Sequence, residues 1–208
     1  FLRFTVRRLA VCRNSAGPVK KGKNDRKMRV LLASLLVVAV ALPFPVTAQS
    51  RLSTCPGPTP SGAWTACIGA YTLPGGETYV GEFKDGKRSG HGTMTFPSGE
   101  KYVGEYGNGM RDGRGELTFP NGEKYVGSFR NGKYAGVGTL TFPDGAVYEG
   151  DFWAGQFNGY GTLTFPDGSR YVGEVRNGKK NGQGVDYAAD GKVLQSGIWE
   201  NNLFVRRQ

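Results

Sequence analysis

The stretch YVGEFKDGKRSGHGTMTFPSGEK, residues 79–101, decides the fold, because the chain repeats its pattern four more times. The further copies begin at Tyr102, Tyr125, Tyr148 and Tyr171, so the period is 23 residues, with no insertion or deletion. A fixed period of this length indicates a repeat architecture in which every copy is one supersecondary unit. The five copies together occupy residues 79–193.

Each copy has the composition of a β-hairpin, as the third copy, YVGSFRNGKYAGVGTLTFPDGAV, illustrates. Residues 125–129 and 139–142 alternate aromatic or β-branched residues with others, which predicts two strands. The glycine-rich segment between them, residues 130–138, predicts a long link inside the copy. Residues 143–145, Pro-Asp-Gly, predict a tight type I turn with a bulge that leads to the next copy. Successive hairpins with short connections predict an antiparallel meander.

The pattern Tyr-x-Gly-x-Phe followed by Gly-x-Gly-Thr-Leu-Thr-Phe-Pro-Asp-Gly resembles the MORN (membrane occupation and recognition nexus) repeat, here of a bacterial, exported type. The resemblance covers about 115 of the 208 residues. It implies an all-β fold, an elongated single-layer antiparallel meander of about five and a half to six hairpin repeats, with eleven or twelve strands. It also implies a scaffold that binds protein partners or associates with itself.

Partial repeats are expected at both ends of the array, which we place at residues 64–205. Residues 69–78 align with the second half of a copy and predict one leading strand. After Val193, a sixth partial copy aligns Gln195, Gly197 and Trp199 with the Tyr, Gly and Phe positions only if one extra residue is allowed. Atypical terminal repeats protect the edges of a repeat array.

The N-terminal part of the chain has the composition of an export signal. Residues 28–48 combine Met28 and Arg29, an apolar run and a small-residue ending, which predicts a signal peptide cleaved after Ala48. The alternative is an uncleaved membrane anchor at residues 30–46. Residues 1–27 would then be an upstream extension from a mis-assigned start, and residues 49–63 a polar, proline-rich linker. We therefore expect a periplasmic or secreted protein.

The net charge of +10 does not indicate a nucleic-acid partner. Residues 1–30 contain ten of the 27 Lys and Arg residues and one of the 17 Asp and Glu residues. The remainder is therefore nearly neutral.

The two cysteines that follow the predicted cleavage point, Cys55 and Cys67, are expected to form a disulfide. A close pair in an exported protein is most simply a bridge. We expect no metal site, because the single histidine, His91, lies at a position that other copies fill with unrelated residues.

No catalytic arrangement or cofactor motif emerges from the repeats, so we expect a protein that is not an enzyme and has no cofactor. The acidic residues that share one repeat position, among them Glu82 and Glu105, would stand about two strands apart, ~10 Å. This spacing is wide for a pair of catalytic carboxylates. The glycine-rich segments lack the strand-to-helix context of a phosphate-binding loop.

Two surface features suggest alternative binding functions. The fourth copy carries Trp153, Phe157 and Tyr160 at positions where most other copies have charged or polar residues, which predicts a site for a protein partner. Basic residues near the predicted long links suggest a second possibility, an edge that contacts anionic phospholipid or envelope polysaccharide. Its candidate residues are Lys87, Arg88, Arg111, Arg114, Lys179 and Lys180.

Overall fold

A computed structural model describes residues 52–207, and the predicted upstream extension, signal peptide and cleavage point lie outside these residues. The described chain contains no helix and forms one open sheet of 14 strands in chain order. The strands are β1 Ser53–Thr54, β2 Cys67–Thr72, β3 Thr78–Lys84, β4 Lys87–Thr95, β5 Lys101–Gly107, β6 Met110–Thr118, β7 Lys124–Arg130, β8 Lys133–Thr141, β9 Val147–Trp153, β10 Gln156–Thr164, β11 Arg170–Arg176, β12 Lys179–Tyr187, β13 Val193–Glu200 and β14 Leu203–Arg207.

The predicted all-β meander is confirmed, because every strand pairs with its neighbours in the sequence, but the sheet has 14 strands rather than the predicted eleven or twelve. β1 pairs with β2 in parallel, and all the later pairs are antiparallel. Each 23-residue copy forms one hairpin, from β3 and β4 to β11 and β12. The sheet already begins at Ser53, so part of the predicted linker at residues 49–63 belongs to the sheet.

The prediction of a long link inside each copy is wrong. In the third copy β7 ends at Arg130 and β8 begins at Lys133, so only Asn131 and Gly132 connect them. Both have positive φ angles, 49° and 79°, as a type I′ hairpin turn requires. The glycine-rich segment that follows, up to Gly138, is part of β8.

The connection between copies matches the predicted type I turn and bulge. The Phe142 N–H donates to the Ala146 carbonyl at 2.8 Å, and the Gly145 N–H donates to the Phe142 carbonyl at 3.0 Å. Gly145 has φ of 90°, the left-handed conformation that follows such a turn in a three-residue hairpin loop.

Glycine is needed inside the strands because a tyrosine ring covers it. A Cβ atom added to Gly138 would lie 2.5 Å from the Tyr125 hydroxyl oxygen and 2.7 Å from the ring. On the paired strand, Gly127 lies opposite Gly138, and a Cβ there would meet the same hydroxyl at 2.5 Å. The equivalent tyrosines cover the equivalent glycines in the other four copies. Each repeat tyrosine therefore packs over one glycine of its own strand and one glycine of the paired strand.

A bulge widens every hairpin beside this contact. In the first hairpin Gly81 pairs with Gly92 and Phe83 pairs with Arg88, so Glu82 faces the three residues 89–91. The two extra residues preserve the alternation of side chains on both sides of the bulge. The tyrosine hydroxyl of each copy donates to the carbonyl at this position, for example Tyr125 to Ser128 at 2.9 Å.

The two ends of the array are closed differently. At the start, the predicted Cys55–Cys67 disulfide is present in the structure, and Trp64 is buried beside it against Gly69. At the end, Gly184 pairs with Gly197, as the alignment of a sixth partial copy predicts. The extra residue is accommodated by a register shift between Asp186 and Tyr187.

Candidate partner-binding face

The sheet has two unlike faces because side chains alternate along each strand. We call the side that carries the five repeated tyrosines the aromatic face, and the other side the opposite face. The tyrosines that define the aromatic face are at most 1% exposed: Tyr79, Tyr102, Tyr125, Tyr148 and Tyr171.

A chain of aromatic rings forms the base of the aromatic face. Eight successive edge-to-face contacts, with ring centroids 4.8 to 5.3 Å apart, connect Trp64 to Tyr148 through the tyrosines and the aromatic residue four positions after each. Val175 replaces this second ring in the fifth copy. The rings resume with Tyr171, Trp199 and Phe204. Edge-to-face pairs stabilise by about 0.5–1.5 kcal/mol beyond their buried area, so the rings join consecutive copies.

The second residue after the two-residue turn inside each copy lies above this base. In copies three and four it is aromatic, and Tyr134 stacks on Tyr125 at 3.8 Å while Phe157 stacks on Tyr148 at 3.9 Å. In the other copies it is a cation over the same ring. The distances are 6.0 Å for Arg88, 5.3 Å for Arg111 and 4.8 Å for Lys180. Cations over aromatic rings are favourable contacts.

A row of phenylalanines lies where the second strand ends in copies one to four, whereas the fifth copy has Ala188 at this position. Phe96, Phe119 and Phe142 are half-buried, and Phe165 is 38% exposed. Grooves separate the rings on this face, with volumes of about 370 Å³ beside Phe96 and about 270 Å³ beside Phe165. The aromatic face therefore presents a band of partly accessible rings across successive copies.

Burial makes the tyrosine hydroxyls of the aromatic face harder to ionise. It raises the pKa of Tyr106, Tyr125, Tyr134 and Tyr148 to about 12. Burial also raises the pKa of the remaining repeat tyrosines, namely Tyr79, Tyr102 and Tyr171. These phenols therefore stay neutral to a higher pH than exposed tyrosines do.

The structure does not bring the three predicted partner-binding aromatics together. Phe157 pairs with Phe152 on the aromatic face. Trp153, at the end of β9, and Tyr160, on β10, both lie on the opposite face. They are 65% and 57% exposed. The cause is the two-residue turn at Ala154 and Gly155. Because of its length, Gln156 pairs with Trp153 on the opposite face, and Phe157 pairs with Phe152 on the aromatic face.

The predicted basic edge is divided in the same way. Arg88, Arg111 and Lys180 lie on the aromatic face, and each has a polar partner. The Arg88 guanidinium donates to the Gly109 carbonyl at 2.6 Å, Arg111 bonds Glu100 at 3.2 Å, and Lys180 bonds Asp186 at 2.5 Å. The other three candidates are exposed residues of the opposite face: Lys87, Arg114 and Lys179.

The acidic residues that share one repeat position have a structural role at the bulges. The Glu82, Asp151 and Glu174 carboxylates accept the backbone N–H of the residue nine positions later, at 3.2, 2.9 and 3.1 Å. Across residues 52–207, no group of three or more His, Cys, Asp or Glu side chains is placed to hold a metal ion. The same residues include no helix that could span a membrane.

The sequence alone did not indicate that Tyr134, Phe157 and the phenylalanines from Phe96 to Phe165 form one surface. The available signal was the Asn-Gly pair at residues 131–132, which is typical of a two-residue hairpin turn. Once that turn is recognised, alternation places Tyr134 and Phe142 on the face of Tyr125.

The MORN repeat family model matches residues 79–101, 102–124, 125–147, 148–170 and 171–193. The chain therefore belongs to the MORN repeat family, and it is a repeat scaffold. No curated protein matches it.

Solved structures with some similarity include two domains with bound peptides. One is the TCP domain of SAS-4 (dCPAP) of Drosophila melanogaster in complex with a proline-rich motif of Ana2 (dSTIL), with 15% identity, coverage of 60% of this chain and 68% of that chain, and a TM-score of 0.38. The other is the wild-type TCP10 domain of Danio rerio CPAP in complex with a peptide of Danio rerio STIL, with 14% identity, coverage of 62% and 78%, and a TM-score of 0.22.

Proposed function

We propose that this protein is a non-catalytic scaffold whose aromatic face binds a protein partner or a second copy of the chain. The observation that carries the proposal is the band of partly accessible phenylalanines, from Phe96 to Phe165, beside the base of buried rings. Aromatic side chains in grooves are the residues that dominate the energy of protein interfaces. The site is extended, because the same phenylalanine position recurs in copies one to four.

The geometry favours a partner that lies across several strands. Neighbouring hairpins are two strands apart, which is ~10 Å. A partner that contacts Phe119, Phe142 and Phe165 would therefore cover at least two repeats. Interior strands have no free backbone groups for strand addition, so recognition on this face would rest on side chains.

The test is capture of partners from a cell extract by the immobilised protein, with matched substitutions on the two faces. We expect Phe142→Ser and Phe165→Ser to abolish capture. Val103→Ser and Val126→Ser, at residues that are 45% and 44% exposed on the opposite face, should leave it unchanged. Sedimentation of the purified protein would distinguish self-association from a different partner. Equal loss of capture with both pairs of variants would refute the proposal.

A second candidate function is contact with an anionic phospholipid surface through the opposite face. Exposed basic pairs flank the two-residue turns inside copies one, three and five: Lys84 with Lys87, Arg130 with Lys133, and Arg176 with Lys179. Such pairs recur every four strands, ~19 Å. Basic residues near an anionic bilayer contribute about 1 kcal/mol each, and salt screens the attraction.

Vesicle sedimentation tests this second function. Lys87→Glu with Lys179→Glu should abolish binding to anionic vesicles, whereas Arg88→Gln should have no effect because Arg88 lies on the aromatic face. Binding should also fall as salt rises. Equal binding to neutral vesicles would contradict this second function.

We also propose that the protein is exported into the bacterial envelope or beyond it. The support is the three-part composition of residues 28–48. N-terminal sequencing of the protein isolated from expressing cells should find Gln49 first. A product that retains residues 28–48 would support a membrane anchor at residues 30–46 instead.

A further inference from the structure

A groove on the opposite face is separate from the partner-binding aromatic face, although its lining includes Arg130 and Lys133, one of the basic pairs of the second candidate function. It has a volume of about 710 Å³ and lies between copies three and four beside Trp153. Its polar lining includes Ser128, Arg130, Lys133 and Asn158. Ligand pockets commonly have volumes of about 300–1,000 Å³, so the groove is large enough for a small molecule or one unit of a polymer.

The groove exists because copy three has small residues at two repeat positions. Ser128 stands where the other four copies have Glu or Asp, and it pairs with Ala135, which stands where they have Ser, Asp or Asn. Trp153 of the next copy lies beside this small-residue floor. Ala154, a third small residue, takes the turn position that the other four copies fill with Asp or Asn.

Trp153 offers a flat aromatic wall to a ligand. It is 65% exposed, whereas Trp64 and Trp199, the other two tryptophans of the chain, are 1% and 3% exposed. The face of an indole ring carries partial negative charge. It therefore favours contact with polarised C–H groups, such as those on one face of a pyranose ring.

The polar lining adds hydrogen-bonding groups and net positive charge. Neither the Ser128 hydroxyl nor the Asn158 amide makes a side-chain hydrogen bond to another residue between 52 and 207. Arg130 and Lys133 have no ion-pair partner among these residues. The one carboxylate in the lining, Asp151, accepts the Tyr160 backbone N–H at 2.9 Å. Free cations beside a hydroxyl and an amide are complementary to a hydroxylated ligand with an acidic group.

We propose that this groove binds an acidic sugar, a uronic acid unit of a polysaccharide. Its ring packs on Trp153, its hydroxyl groups bond Ser128 and Asn158, and its carboxylate pairs with Arg130 and Lys133. An extended peptide fits less well, because the backbone groups of these interior strands are used within the sheet. The site lies on the opposite face, so its failure would leave the partner-binding proposal intact.

Tryptophan fluorescence of the full chain tests the proposal directly, since Trp153 is the only exposed tryptophan. A galacturonic acid trisaccharide should change the emission saturably, and the matching galactose trisaccharide should bind about tenfold more weakly, equivalent to ~1.4 kcal/mol. Calorimetry should show the same difference in affinity. Raising the salt concentration should weaken uronate binding because the carboxylate pairs with cations.

Ser128→Glu is the most informative variant, because it restores the residue type that three other copies carry at this position and should therefore fold. We expect it to abolish uronate binding by filling and neutralising the groove. Trp153→Ala should also abolish binding in calorimetry, whereas Tyr160→Ala, an exposed aromatic outside the lining, should retain it. The proposal is overturned if the uronate does not bind, if Ser128→Glu binds it normally, or if an acidic proline-rich peptide binds more tightly.

Discussion

The two faces of this sheet obey different rules although the same strands supply both. On the aromatic face the tyrosine recurs in all five copies, and the glycines under it are constrained by its ring. On the opposite face one position holds His91, Arg114, Val137, Tyr160 and Gln183 in succession. The difference shows that the aromatic face carries the stacking of the repeats, while the opposite face is free to vary between copies.

Strong alkali should affect the aromatic face most, and it gives the largest expected effect. The folded-state pKa of each buried phenol is raised above its unfolded value of about 10. The tyrosine contribution to stability should therefore be constant below about pH 10 and should fall steeply between about pH 10 and pH 12, as the unfolded chain loses protons first. Denaturant titrations at several pH values would show this, with tyrosinate absorbance rising as the sheet unfolds. Tyrosines that ionise at ordinary pKa in an intact sheet would contradict the burial.

Substituting neighbouring residues on the two faces sharpens the comparison. Tyr125→Ala removes a fully buried ring and should destabilise by about 3–5 kcal/mol. Val126→Ala, next in the chain but 44% exposed on the opposite face, should cost less than about 1 kcal/mol. Urea unfolding midpoints of the two variants measure the difference. Similar losses would mean that the faces contribute equally.

Reduction of the Cys55–Cys67 disulfide tests how much this bond stabilises the N-terminal end of the sheet. Cys55 and Cys67 are 12 residues apart, and the chain-entropy estimate for a loop of this size is about 3 kcal/mol. Reduction should lower the melting temperature and expose Trp64 to quenchers. A Cys55→Ser, Cys67→Ser variant should behave like the reduced protein. Two free thiols at these positions in the unreduced protein would exclude the bridge.

Two tyrosines on one strand offer the finest comparison. The Tyr102 hydroxyl donates to the Glu105 carbonyl at 2.9 Å, whereas the Tyr106 hydroxyl is buried and has no hydrogen-bond partner among residues 52–207. Tyr102→Phe should therefore cost about 1 kcal/mol, and Tyr106→Phe should be neutral or stabilising. Copies one, three and four already have phenylalanine at the position of Tyr106. Thermal unfolding resolves the two variants, and a larger loss for Tyr106→Phe would reveal a missing partner.

The sequence was sufficient to predict the meander, because its period and its alternation survive in every copy. It was insufficient for the links, since Gly136 and Gly138 are residues that strands usually avoid. They are strand residues here because of a bulge and a covering tyrosine, and both features depend on the paired strand. The assignment of Trp153 and Phe157 to one patch failed for the same reason, since the length of the turn determines which face each residue occupies.

A double-mutant cycle between Tyr125 and Gly138 tests the central claim that tyrosine-over-glycine packing joins the strands of the sheet. In the native chain, Gly138→Ala should cost about 1–3 kcal/mol, because the three atoms nearest to the new Cβ would all belong to Tyr125, at 2.5 to 2.7 Å. In a Tyr125→Ala background the same substitution should cost almost nothing, which gives a coupling free energy above about 1 kcal/mol in urea unfolding. Additive losses would contradict the account.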